Sequence, residues 1–302
     1  MADVSGSLKS IFYALAANTA IAIAKTVAAV ITGSGAMFAE AVHSAADAGN
    51  QILLLYGLKR AKRPPSMDFP LGYGKEIYFW SFIVAVMLFS LGGLVALYEG
   101  VHKLQNPEPL SQPWIAVGVL VFALLAEGGS LYGCIREINK VRGEQTLWQW
   151  FRSSRQSELI VIFGEDLAAL LGLGTALVAV LLTMITGDPM WDALGSCAIG
   201  ALLVVVAVLL AAEVKDLLIG QGVETHVRED MQQFLEQQDE IAQVFNIVTL
   251  QMGNDVLVAV KAQLHHVAGV HQVSQRINAV EQRFRERYPQ VAWLFFEPDI
   301  SD

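Results

Sequence analysis

Residues 158–186 read ELIVIFGEDLAALLGLGTALVAVLLTMIT. A hydrocarbon core ~30 Å thick is crossed by about 20 helical residues, so this run is long enough to span a bilayer. Two adjacent carboxylates, Glu165 and Asp166, interrupt it near mid-membrane, given about 1.5 Å of rise per residue. An ionisable group at that depth costs at least ~2.5 kcal/mol by insertion scales, so the pair calls for a function.

Five further apolar stretches lie outward of this one, at about 9–31, 36–58, 78–100, 114–135 and 191–213. Of the 302 residues, 54 % are hydrophobic and 16 % charged, which leaves too little polar material to clothe a soluble protein. The first stretch, within MADVSGSLKSIFYALAANTAIAIAK, continues beyond the length of a cleaved secretory signal and reads as a retained span. Cys134 and Cys197 both lie in apolar stretches, which argues against a disulfide framework and a Cys-based zinc site. A net charge of -9, with no basic cluster on the polar part of the chain, argues against a nucleic-acid partner.

The connections give the orientation. Segments 31–38 (ITGSGAMF) and 186–191 (TGDPMW) are tight hairpin turns. Lys59, Arg60, Lys62, Arg63 and Lys75 follow the second span, and Arg136, Lys140, Arg142, Arg152 and Arg155 follow the fourth, against Lys103 on the opposite side. Positive charge gathers on the cytoplasmic side of membrane proteins, so both basic loops and both termini are expected there.

After Glu213 the composition turns polar, dividing the chain into a membrane unit, 1–213, and a soluble unit, 214–302. Residues 225–238 have helical spacing at Val227, Met231 and Phe234. Segments 245–253 and 255–264 alternate as a hairpin turned at Gly253-Asn254-Asp255, and a second helix over 273–288 and a strand over 291–298 complete α-β-β-α-β. That order predicts a small α+β sandwich with both helices on one face of the sheet, a shape that can offer a dimer surface.

The second span holds the densest polar set. In AEAVHSAADAGNQ, residues 39–51, His43 and Asp47 stand four apart on one helix face, with Glu40 and Asn50 on the same stripe. Imidazole and carboxylate at that spacing can close on one small cation. Adjacent residues point ~100° apart, so only one of Glu165 and Asp166 can aim squarely at a partner helix. With Asp166 facing His43 and Asp47, the set has three N/O ligands and a fourth from Glu165 or water. Such a set suits Zn2+ first, and Fe2+, Mn2+, Co2+ or Cd2+ with altered coordination. Glu127 in the fourth span and Asn18 in the first read as groups that support the bundle or relay protons, since lone polar groups in bundles often only bond between helices. Glu99 and His102 sit at a membrane edge and read as structural. The metal is cargo here, and no separate cofactor is called for.

Three segments together resemble the cation diffusion facilitator family over nearly the whole chain: AEAVHSAADAGNQ (39–51), DFPLGYGKEIYFW (68–80) and YEGVHKLQNPEP (98–109). The family's HxxxD or DxxxD pair on the second span maps to His43 and Asp47, and its fifth-span aspartate to Asp166. The resemblance implies a homodimeric metal-proton antiporter joined through its membrane and C-terminal domains. It places the transport site between the second and fifth helices and implies a cytoplasmic ferredoxin-like domain. Ile162 stands where many zinc-selective members carry a fifth-span histidine, and the Glu165-Asp166 pair looks like that of iron/zinc and mitochondrial-type members. Phe296 and Asn246 stand near positions where regulatory metal ligands are expected in the C-terminal domain, and His265, His266 and His271 read as solvated loop residues.

Metal and protons would compete for one site, because imidazole and carboxylate bind metal only when deprotonated. Two rivals of another class are a proton-independent metal channel and a sensor. A further rival is export of another ion such as Mg2+, against which the histidine argues. A membrane hydrolase lacks its usual signatures: there is no HExxH and no G-x-S-x-G.

Overall fold

The computed structural model describes residues 4–265 and 269–301, with side chains at residue 15 and from residue 18 onward. Long helices fill the first two thirds: α1 (Val4–Thr32), α2 (Gly35–Ala61), α3 (Glu76–Met87) and α4 (Val95–Gln105), then α5 (Pro113–Val141), α7 (Ser157–Thr186) and α8 (Met190–Ile219). A π-helical turn, Leu88–Leu94, joins α3 to α4 without a break, so that Glu76–Gln105 is one span. Among the described residues, this span, α5, α7 and α8 are each long and apolar enough to cross a membrane. The apolar described part of α1, Asn18–Thr32, is shorter. In α2 the apolar residues are diluted by Glu40, His43, Ser44, Asp47, Asn50 and Gln51. The last span continues past Glu213 to Ile219.

Both hairpins turn where expected, at Gly33 (φ 67°) and Gly187 (φ 71°), positions in the left-handed region that glycine occupies without Cβ strain. The start of α2 is held from α8. Asp192, 2 % exposed, accepts hydrogen bonds from the Ser34 hydroxyl (2.5 Å), the Gly35 amide (2.6 Å) and the Ala36 amide (3.3 Å). Ser34 in turn accepts from the Met37 amide, a helix N-cap. These contacts satisfy amides that a helix start leaves open, in surroundings where water cannot. Along the seam of the third span and α8, small residues let backbones approach: a Cβ at Gly100 would meet Cys197 at 2.5 Å, and one at Gly200 would meet the Leu97 amide at 2.6 Å. Between α5 and α7 lies a short helix, α6 (Leu147–Ser153), which sequence reading left as loop. A Thr146/Gln149 capping box starts it, and it buries Trp150 and Phe151.

The C-terminal residues build a separate core on α9 (Thr225–Glu236), β1 (Ile241–Met252), β2 (Asp255–Leu264), α10 (Val270–Arg287) and β3 (Val291–Pro298). The strands lie in the order β1-β2-β3, antiparallel then parallel. Gly253, with φ 74°, opens the two-residue hairpin turn. Val256, Val258, Val260 and Ala262 face the core with Met231, Leu235, Val280 and Phe284 of the two helices. On the sheet's other face, Val248, Ala259 and Phe295 form one cross-strand row, and Val248 and Phe295 are exposed.

The unit meets the helix ends through the hairpin. The Gly253 amide donates to the Tyr78 hydroxyl at 3.0 Å, and Arg155 Nε donates to the Gly222 carbonyl at 2.7 Å. Burial of the Arg155 guanidinium at this joint holds its pKa below the usual arginine value. Gly74 packs so closely that a Cβ there would lie 1.9 Å from the Met252 carbonyl oxygen.

Candidate metal site

The α2 helix is central, packed against α1, the third span, α7 and α8. Its polar stripe therefore faces protein. Glu40, His43 and Asn50 are fully buried, Ser44 is 3 % and Asp47 8 % exposed. Among the described residues, the buried side-chain nitrogen and oxygen atoms without a hydrogen-bond partner are Glu40 Oε1, both ring nitrogens of His43, Asp47 Oδ1, Asn50 Oδ1 and Gln51 Oε1. Every one is on α2. His43 Nδ1 and Asp47 Oδ1 approach to 3.5 Å across one helical turn but are not aligned as a hydrogen bond. An orphaned buried polar atom costs about 1–3 kcal/mol, so six of them along three turns form a built electron-rich surface that a cation can satisfy.

The α7 side resolves the carboxylate pair. Glu165, 6 % exposed, faces α2 and accepts a hydrogen bond from Asn50 Nδ2 at 2.6 Å. Asp166, expected to face His43 and Asp47, is turned instead toward α5, where it accepts from the Ser130 hydroxyl at 3.1 Å. The ~100° step between neighbours on a helix separates the two, and the seam with α2 takes the glutamate. Glu127 on α5 is buried as well, 6 % exposed. Among the described residues, no three His, Cys, Asp or Glu side chains converge closely enough to hold a metal in this conformation. The donors are thus gathered along α2 and at Glu165, short of a closed coordination sphere.

One member of the constellation escaped sequence reading. Lys25 of α1 is fully buried and donates to Glu40 Oε2 at 3.1 Å and to the Ser44 hydroxyl at 2.6 Å. A lone lysine inside an apolar span was the available signal. Elsewhere, His265 and His271 are exposed, His271 contacts Gln275 at 3.1 Å, and His266 lies outside the described residues. Phe296 packs on the C-terminal core and Asn246 is exposed.

The family model for the cation efflux transmembrane domain matches residues 11–219, ending with α8. The chain belongs to the cation efflux, or cation diffusion facilitator, family. Cation efflux relatives include the mitochondrial proton-coupled zinc antiporter SLC30A9 of Xenopus laevis, 32 % identical over 83 % of this chain and 45 % of that protein. Metal tolerance protein C4 of Arabidopsis thaliana is 33 % identical over 68 % of this chain and 45 % of its own length. Magnetosome protein MamB of Magnetospira sp. (strain QH-2) is 24 % identical over 82 % and 79 %. The chain thus spans less than half the length of the first two relatives. Like the cation efflux fold it matches, it is an integral membrane protein.

Proposed function

We propose that this chain exports a divalent metal cation, Zn2+ first, from the cytoplasm in exchange for protons, through a site formed by His43, Asp47 and Glu165. The observation that carries the reading is the set of buried, unpartnered donor atoms confined to α2. Imidazole with carboxylates suits Zn2+, and the name of the SLC30A9 relatives, proton-coupled zinc antiporter, supports both cargo and coupling. Fe2+, Mn2+, Co2+ and Cd2+ fit the same donors with altered coordination. Proton coupling follows from shared lone pairs: each donor holds a proton or the metal, and arrival of one releases the other. Asp166, held by Ser130, joins the ligand set only after a rotation of α7, and Glu40, Asn50 and Glu127 support it. The reading is that of a transporter and not an enzyme.

The rest of the arrangement belongs to the same proposal. The membrane unit, 1–213, sits in a bacterial inner membrane with both termini and the unit 214–302 in the cytoplasm, following the basic loops. Two copies pair through the membrane and C-terminal units, for which the exposed row of Val248 and Phe295 offers a surface.

Proteoliposomes with an acidic interior test the export reading. Zn2+ uptake by the parent protein should collapse with the proton gradient and be lost in His43→Ala and Asp47→Ala. Glu165→Gln should cost more than Asp166→Asn. Uptake indifferent to the gradient would replace antiport by a channel, and full activity in the α2 variants would move the site elsewhere.

A further inference from the structure

Lys25 is the sole fully buried Lys or Arg side chain among the described residues, and it lies beside the carboxylate-rich stripe of α2. Its ammonium reaches two groups of that stripe, Glu40 Oε2 and the Ser44 hydroxyl. Ser44 follows His43 directly, and Glu40 lies three residues before it, about 4.5 Å along the helix axis.

A buried ion pair that serves the fold alone is stabilising when its remaining lone pairs are satisfied. Here they are not. Glu40 Oε1 has no partner and points at Gly172 of α7, where a Cβ would lie 2.3 Å from it. Glu40 therefore keeps one oxygen without a hydrogen bond, packed on Gly172 at the α2–α7 contact, while Lys25 holds the other. Glu40, Asp47, Glu127 and Glu165 are all buried, and of these carboxylates Lys25 holds Glu40. An ammonium cannot ligate a metal, but it repels one and neutralises the carboxylate it holds.

From this geometry we propose that Lys25 is a tethered competitor of the transported dication: by holding Glu40 and placing a fixed positive charge beside His43 and Asp47, it lowers the affinity of the site and so permits release. The inference rests on the export reading above. Lys25 is a positioning residue, acting on metal through Glu40 and through its field. Without it, Glu40 becomes a free carboxylate beside the site, so metal binds more tightly and leaves more slowly. Without Glu40, the ammonium is no longer neutralised and opposes metal more strongly. The two single substitutions therefore act in opposite directions on affinity, which a merely structural pair does not predict.

The test compares Lys25→Met, Glu40→Gln, the double variant and Lys25→Arg with the parent, using gradient-driven Zn2+ uptake into proteoliposomes and Zn2+ binding in detergent by competition with a chelating dye. Lys25→Met should lower KM and maximal rate together, Glu40→Gln should raise KM, and the double variant should fall between them. Shifts of about 5- to 150-fold are expected, the usual range for coupling between two sites. Lys25→Arg, which keeps the charge, should move KM less than Lys25→Met. Should Lys25→Met fail to fold, Glu40→Gln and the neutral double variant still decide: a KM at or below the parent's in Glu40→Gln overturns the proposal. Single variants that shift KM in the same direction, or not at all, also overturn it. A parent protein that takes up no metal would overturn the export reading itself.

Discussion

Asn50 ties the two halves of the site together, donating to Glu165 while its own Oδ1 has no partner. Groups that orient a ligand carboxylate are worth about 10–100-fold in metal affinity, so Asn50→Ala should weaken Zn2+ binding by that factor, read by dye competition in detergent. Parental affinity in that variant would remove Glu165 from the site. A second prediction concerns the C-terminal unit, where Arg283 donates to Glu240 at 2.6 Å and holds its carboxyl below the ordinary value. The folded-state pKa lies below the unfolded one, so the pair stabilises the fold above the unfolded value, and this contribution fades as pH falls through the folded value. Arg283→Ala should therefore loosen β1, by on the order of 0.5 kcal/mol for so exposed a pair, at pH 7 but not once pH has fallen below the lowered folded value. Hydrogen exchange over Ile241–Met252 reads the difference, and an effect independent of pH would assign Arg283 a packing role. At this scale the sequence was legible where spacing decides. Four-residue spacing placed His43 over Asp47, whereas the choice between Glu165 and Asp166 depends on the rotation of α7, which no local pattern encodes. Lys25 was visible as an intramembrane charge, but its partner on a neighbouring helix was not.

Among the elements, the α1–α2 hairpin depends on α8. Substituting Asp192 with Ala leaves the Ser34 hydroxyl and two α2 amides without their acceptor, at about 1–3 kcal/mol for each buried group orphaned. A lower thermal midpoint in detergent is the expected outcome, together with impaired transport, because this hairpin sets the outer end of the stripe. An unchanged midpoint would mean that the hairpin does not depend on these contacts. Hydropathy marked six long helices, four of them apolar and long enough to span among the described residues, with several ends five or six residues short, and alternation marked the β1–β2 hairpin and its glycine turn, because both signals are local. Helix α6 escaped notice because seven residues are too few to show a period, although its Thr146 and Gln149 carry the capping signal.

At the scale of the whole molecule, the hairpin turn of the sheet is seated on Gly74 and Tyr78 at the foot of the third span. Gly74→Ala has no room against the Met252 carbonyl and should unseat the C-terminal unit. Faster proteolysis around residues 220–224, with the membrane helices still folded, is the expected signature, and cleavage at the parental rate would show that other contacts hold the joint. This contact could not be read from the sequence, since it joins positions remote in the chain and turns on the absence of a Cβ.

The π-helical turn at Leu88–Leu94 gives the third span one residue more than an α-helix of the same rise would use. Such a turn has the form of an inserted residue that the helix absorbed without breaking. Below it, Tyr78 and Ser81 meet the hairpin of the C-terminal unit and α7, and above it, Leu97 and Gly100 meet α8. Wound as an ordinary α-helix, the same residues would turn one half against the other by about 100°. The glycine seam with α8 and the seat of the C-terminal unit would then no longer fit at the same time. The two ends of this span are in frame with their neighbours only because the wide turn takes up the extra residue.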